Sequence, residues 1–182
     1  GGADLTGNAI ALQRISVLCL RNEAARKAAA LDLQKQGEEA LAAGDSAKAV
    51  ELLLKALASD PDNAEIKEEE ILAEKLKRAQ DLKRLGDDQM GRDDYTAALG
   101  SYEGATALNP DDAELPPRIN QAEKKKTAKD LETYGDEAVA VRDYTAAVDA
   151  YDSALAQWPD SDEMGTWPEN AHFQAKRDEA AR

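Results

Sequence analysis

The sequence predicts an all-helical protein built from repeated helix pairs. Three observations support this fold class: the same residues recur at a fixed interval, apolar residues follow a three-to-four spacing, and no stretch shows the sustained alternation typical of strands. Aromatic residues make up only 4% of the chain, against 42% for all hydrophobic residues. Alanine and leucine must therefore supply most of the packing, which suits closely spaced helices.

The recurrence has an interval of 49 residues and involves glycine, alanine and proline. The repeated residues are Gly37, Gly86 and Gly135; Ala49, Ala98 and Ala147; and Pro61, Pro110 and Pro159. The glycines and alanines leave room for two helices to approach closely. The prolines predict the end of the second helix, because proline lacks an N–H group. Asp45, Asp94 and Asp143 are expected to cap the start of that helix.

Within each copy, the order of residues resembles the tetratricopeptide repeat (TPR) family. The matching residues are Leu82, Leu85, Gly86, Ala98, Tyr102, Ala105 and Pro110 in the second copy; Leu131, Tyr134, Gly135, Ala147, Tyr151, Ala154 and Pro159 in the third; and Leu33, Gln36, Gly37, Ala49, Leu53, Ala56 and Pro61 in the first. The resemblance covers residues 30–160 and implies a TPR-like α-solenoid of antiparallel helix pairs. TPR units usually span about 34 residues, so each copy here carries roughly 15 more.

The extra residues are expected to extend the first helix of the following unit at its N-terminal end. Alternatively, Pro116-Pro117 restart the helix before the third unit. The resulting division is 1–29, an N-terminal apolar cap or extension helix; 30–63, TPR-like unit 1; 64–78, a helical extension; 79–112, unit 2; 113–127, a second extension; 128–161, unit 3; and 162–182, a C-terminal capping helix. The extensions are very polar, so we expect them to form a rim beyond the TPR core.

Composition and motifs argue against catalysis and against several classes of ligand. The net charge of −14 opposes nucleic-acid binding, which needs clustered basic residues. The single Cys19 excludes an internal disulfide, and no segment reaches the roughly 18 apolar residues of a membrane span. His172 is the only histidine, and no metal-ligand or phosphate-loop spacing is present. We therefore expect no enzymatic activity, cofactor or metal.

The TPR resemblance implies that a protein or peptide binds along a concave groove. By matching positions, the groove candidates are Gln34, Glu38 and Leu41 in unit 1; Lys83, Asp87 and Met90 in unit 2; and Glu132, Asp136 and Val139 in unit 3. One of these positions is acidic in all three units. A groove ligand should therefore be basic or apolar rather than an acidic C-terminal tail, unless these residues form only a solvated face.

A second hypothesis is self-assembly into a homo-oligomer or filament by end-to-end contacts. The candidates for this contact are Ile10, Leu12, Ile15, Val17, Leu18 and Leu20 in the first helix, together with Gly100, Gly104, Trp158 and Trp167. The alternative for the first helix is that it folds back on unit 1. The start at Gly1-Gly2 is either a cloning remnant or a processed N-terminus, and processing would place the protein in the periplasm or outside the cell.

Overall fold

The computed structural model describes residues 3–157 and 168–182, and this part of the chain contains seven α-helices and no strand. They are α1 (Ala3–Ala42), α2 (Ser46–Ser59), α3 (Ala64–Met90), α4 (Tyr95–Leu108), α5 (Leu115–Ala140), α6 (Tyr144–Gln157) and α7 (Pro168–Ala180). Helices α2, α4 and α6 each have 14 residues, and their first residues are 49 positions apart. The predicted all-α class of TPR-like helix pairs is confirmed.

Two compact units make up the chain, Gly1–Arg78 and Ala79–Arg182, with the boundary inside α3. The first unit contains one helix pair, pair 1, formed by the C-terminal part of α1 and by α2. The second unit contains pair 2, formed by residues 79–90 of α3 and by α4, and pair 3, formed by residues 128–140 of α5 and by α6. A further helical segment packs on each pair, and we call it the covering helix.

Aspartate side chains form the predicted N-caps of α2, α4 and α6. The Oδ1 atom of Asp45 accepts a hydrogen bond from the backbone N–H of Lys48, at 3.0 Å. Asp94 and Asp143 make the corresponding bonds, at 3.1 Å, to the residues three positions further on. These bonds satisfy backbone donors that have no partner inside the helix.

The helices of each pair cross where the repeated glycine lies. A Cβ atom added at Gly86 would lie 2.7 Å from Cδ1 of Tyr102, and one added at Gly37 would lie 2.8 Å from Cγ of Leu53. Only a glycine therefore allows the large side chain of the second helix to lie directly against the first. Tyr102, Tyr151 and Leu53 are almost completely buried as a result.

The polar extensions belong to the core, so the expectation that they form a rim beyond it is wrong. The extension 64–78 is the first part of α3 and the covering helix of pair 1, where Ile66 and Ala73 are fully buried. In pair 2 the covering helix is the first part of α5, with Leu115 and Ala122 in the core. A few apolar or small residues of each extension are enough for this contact, although Ile71 and Leu72 of the first extension remain exposed.

The sequence suggested two ways in which the long helices begin, and each of them is found in one helix. Helix α3 is one continuous helix over the extension and the first helix of pair 2. Helix α5 begins at Leu115, has Pro116 and Pro117 in its first turn, and then continues unbroken to Ala140. Residues 3–29 of the N-terminal segment likewise belong to a helix, α1, that continues to Ala42.

The covering helix should contribute to stability through its buried residues. We expect Ile66→Ala to lower the free energy of unfolding by about 2–4 kcal/mol, because it removes a fully buried side chain and leaves a cavity. The matched control is Ile71→Ala in the same helix, where the side chain is 64% exposed and the loss should be below about 0.5 kcal/mol. Urea unfolding followed by circular dichroism measures both. Equal losses would contradict the assignment of the extension to the core.

Candidate partner-binding surface

The nine groove candidates occupy three repeated positions on the first helix of each pair. We call them position one (Gln34, Lys83 and Glu132), position two (Glu38, Asp87 and Asp136) and position three (Leu41, Met90 and Val139). The side chains at position one are buried or half-buried, whereas those at position two are exposed and, in pairs 2 and 3, bind a cation of the covering helix. The contacts differ between the pairs, because each covering helix has a different sequence.

In pair 2, positions one and two form ion pairs with the covering helix and the turn before it. Lys83 Nζ donates hydrogen bonds to Asp112 and Glu114, both at 2.9 Å. Burial alone would lower the pKa of Lys83, but these two acceptors raise it overall. Asp87 accepts hydrogen bonds from the hydroxyl of Tyr102, at 2.8 Å, and from Nε of Arg118, at 3.0 Å. Burial and the contact with Asp87 raise the pKa of Tyr102.

In pair 3, the corresponding contacts come from α7. Glu132 is 6% exposed and binds Lys176 Nζ, Lys129 Nζ and His172 Nε2 at 2.7–2.9 Å. Burial alone would raise the pKa of Glu132, but these partners outweigh it and lower the pKa to about 2. Asp136 accepts hydrogen bonds from the Tyr151 hydroxyl, at 2.7 Å, and from Lys176. The contact repeats the Tyr–Asp–cation arrangement of pair 2, with Lys176 in the role of Arg118.

Pair 1 has a glutamate where the other pairs have a cation. Gln34 Nε2 donates a hydrogen bond to Oε1 of Glu69, at 2.8 Å, whereas the buried Oε2 of Glu69 has no hydrogen-bond partner. Burial raises the pKa of Glu69, the bond from Gln34 partly opposes this, and the carboxylates of Glu38 and Glu65 raise it further. A carboxyl group in this position is held less favourably than the ion pairs of pairs 2 and 3.

Position three varies from core to surface. Leu41 and Met90 are partly buried and pack against the cores of their pairs, whereas Val139 is 37% exposed. Two cavities of about 540 Å³ lie beside this position. The cavity at pair 2 is lined by Asp87, Met90, Gly91, Tyr102, Pro117, Arg118, Gln121 and Lys125. The cavity at pair 3 is lined by Asp136, Val139, Tyr144, Tyr151, Lys176, Glu179, Ala180 and Arg182.

The structure therefore brings positions two and three together at each of these cavities and places position one elsewhere. It also adds residues that the sequence-based prediction missed. Tyr144 could have been noticed, because it belongs to the repeated Asp-Tyr-Thr-Ala-Ala sequence. Lys176 and Glu179 could not, because α7 does not match the repeat.

The apolar residues proposed for self-association are exposed. Ile10, Leu12, Ile15, Val17, Leu18 and Leu20 have exposed fractions of 54–66%. The first buried residue that the structure describes in α1 is Ala30, so the alternative that this segment folds back on unit 1 is wrong. Cys19, in the same segment, is exposed as well.

The remaining self-association candidates have different surroundings. Gly100 faces open space, whereas a Cβ atom at Gly104 would lie 3.2 Å from Cδ1 of Leu82. Gly104 therefore allows close packing inside pair 2, and only Gly100 is open at the surface. Trp158 and Trp167 lie outside the described residues.

The described residues contain no group of histidine, cysteine, aspartate and glutamate side chains suited to hold a metal ion. In the same ranges, no helix combines the length and the apolar character that crossing a membrane requires.

Comparison with known proteins supports the TPR resemblance. A tetratricopeptide repeat family model matches residues 35–81, which comprise the end of α1, all of α2 and much of α3. This match and the paired helices are consistent with a TPR-like helical repeat, although the matched segment is too short to test the 49-residue period. Searches of curated proteins and of solved structures found no match. Repeats of this class suggest a protein-interaction scaffold.

The buried Oε2 atom of Glu69, which has no hydrogen-bond partner, leads to a prediction about how the free energy of unfolding depends on pH. A carboxyl whose pKa is raised by folding stabilises the fold while it is protonated, and this contribution is lost as the pH rises through the folded-state pKa. Glu69→Gln keeps an acceptor for Gln34 and cannot ionise. We therefore expect it to raise the free energy of unfolding by about 0.5–1 kcal/mol near neutral pH, an advantage that shrinks as the pH falls towards 4.

The measurement is urea unfolding of both proteins at neutral and at mildly acidic pH. The matched control is Glu68→Gln, which removes the same charge from an exposed neighbouring side chain. It should change stability little at either pH. If Glu69→Gln destabilises the protein at neutral pH, Glu69 is well accommodated as a carboxylate.

Proposed function

We propose that this protein is a protein–protein interaction scaffold, and not an enzyme, that binds a basic or apolar protein segment. The observation that carries the proposal is the TPR-type repeat of residues 35–81, continued by two further helix pairs of the same spacing. Stacked helix pairs offer an extended surface for a partner. The acid–base pairs at positions one and two fix the helices to each other, so their role is to shape this surface.

The binding surface in this proposal is formed at the cavities of pairs 2 and 3. Their walls combine apolar side chains, such as Met90 and Val139, with tyrosine rings and charged groups. The chain as a whole has 37 acidic and 23 basic residues. An acidic surface attracts basic segments and repels acidic ones, and the attraction weakens as salt screens the charges.

Peptide binding tests this proposal directly. We expect a basic amphipathic helical peptide of leucine and lysine to bind the purified protein, measured by calorimetry, and to bind more weakly at high salt. An acidic-tailed peptide of equal length should not bind. Val139→Lys should weaken binding of the basic peptide, because it places a positive charge in the apolar wall of the cavity and repels the ligand.

The control variant is Val141→Lys, which adds the same positive charge at a side chain that is 76% exposed and is not in the cavity wall. It should leave the affinity nearly unchanged. Tight, salt-sensitive binding of the acidic peptide would contradict the proposed partner chemistry. Equal effects of the two variants would show that the cavity is not the binding surface.

The second candidate function is self-assembly, and the exposed segment of α1 from Ile10 to Leu20 favours it. Burying an aliphatic side chain stabilises it by about 1.5–3 kcal/mol relative to leaving it in water. Six such side chains exposed on one short segment therefore provide a strong driving force for association. A contact between copies of the chain would remove them from water.

Sedimentation velocity tests self-assembly. We expect the mass of the wild-type protein to increase with concentration, whereas Val17→Asp/Leu18→Asp should remain a monomer because charges replace two exposed apolar side chains. The control is Asn22→Asp/Ala25→Asp, which adds the same charge to exposed positions of the same helix and should still associate. A monomeric wild-type protein at high concentration would rule out self-assembly.

A further inference from the structure

The repeat places two tyrosines in equivalent positions with different surroundings. Tyr95 and Tyr144 are the first residues of α4 and α6 and lie 49 positions apart in the repeated sequence. Tyr95 is 7% exposed, and Nζ of Lys125 lies over its ring, 5.7 Å from the ring centre. Lys125 belongs to the covering helix of pair 2, so this chain itself supplies the cation.

The equivalent ring in pair 3 is accessible. Tyr144 is 50% exposed and lines the 540 Å³ cavity together with Val139 and Glu179. The Nζ atom of Lys176, in the same cavity wall, is already bound by Glu132 and Asp136. A cation that entered the cavity from outside would meet an aromatic ring, an aliphatic wall and the carboxylate of Glu179, and the chain's own Arg182 also lines this cavity. This combination suits an arginine or lysine side chain whose stem is buried and whose charged group lies over the ring.

The exposed segment of α1 carries side chains of this kind. Ile10, Arg14, Val17, Leu18 and Arg21 are exposed, and their spacing of four, three, one and three residues places them on one face of the helix. The face thus alternates arginines with aliphatic side chains. Its charge also differs from that of the rest of the chain, because residues 3–29 contain four basic and two acidic residues.

Pair 3 and its covering helix have the opposite charge. Residues 128–157 and 168–182 contain ten acidic and five basic residues. A basic, partly apolar helix face and an acidic surface with an open aromatic cavity are complementary in charge and in polarity. Both are present in every copy of the chain, so a second copy can supply what each one lacks.

We propose that this α1 face of one copy docks on pair 3 of a second copy and places Arg14 or Arg21 over the ring of Tyr144. The arginine takes the role that Lys125 has over Tyr95 within the chain. The inference rests on the self-assembly proposed above and specifies its contact. Because two different surfaces meet, each dimer keeps one free face of each kind, so further copies can add head to tail.

Substitutions in the cavity should weaken self-association without disturbing the fold. We expect Tyr144→Ser to raise the dissociation constant for self-association roughly tenfold, because it removes the aromatic face. Glu179→Arg, which places a positive charge opposite the arginines, should have a comparable effect. Both side chains are exposed, and unchanged circular dichroism confirms folding. The control is Tyr134→Ser, at a tyrosine that is 56% exposed in the same pair but not in the cavity wall.

A mixing experiment then tests the polarity of the contact. Tyr144→Ser/Glu179→Arg retains the α1 face, and Val17→Asp/Leu18→Asp retains the cavity. Sedimentation should show that each variant alone is monomeric, whereas the mixture forms a one-to-one dimer that does not grow further. This result requires that the two surfaces bind each other.

The alternative results are distinguishable. If the wild-type protein associates and the cavity variant associates equally well, self-assembly holds but the proposed contact is overturned, as it would be for α1 pairing with α1. If the wild-type protein is monomeric at all concentrations, the self-assembly proposal fails and this inference fails with it. If the two variants do not combine although each has lost self-association, the head-to-tail contact is likewise overturned.

Discussion

The contact between a glycine on the first helix and a large side chain on the second is the constraint on which each helix pair depends. With no Cβ atom at Gly86 or Gly135, the ring of Tyr102 or Tyr151 packs directly against the first helix. The position of the ring determines where its hydroxyl lies, and the hydroxyl reaches the aspartate in the next position of the first helix. That aspartate also binds a cation from the covering helix, so one close approach organises three helices.

Pair 1 shows what changes when the aromatic residue is absent. Leu53 replaces the tyrosine, so it packs against Gly37 but has no hydroxyl to donate. Glu38 occupies the position of the aspartates, and the covering helix supplies Glu69 instead of a cation. Apolar packing, with Ile66 and Ala73 in the core, therefore carries more of the stability of this pair. The glycine contact is retained in all three pairs, so either a leucine or a tyrosine can pack at the helix crossing.

Because the polar side chains at positions one and two are bound within the chain, other residues form the surface that is available to a partner. At positions one and two, lysine, aspartate and glutamate side chains are bound by other groups of the chain. The surface left for partners is then dominated by residues that the repeat does not pair, such as Val139, Tyr144 and the apolar side chains of α1. Binding specificity in such a protein would come from departures from the repeat rather than from the repeat itself.

The sequence by itself determined the helices, their ends and their pairing, because these depend on local features. A capping aspartate, a proline or a small residue at a crossing acts within a few residues of its own position. Only the tertiary structure decided the partners of Lys83, Glu132 and Glu69, which bind groups about 30–45 positions away. It also decided that the polar extensions are buried on one side and that the apolar segment of α1 is exposed, because burial depends on which helix packs beside which, and composition does not specify that arrangement.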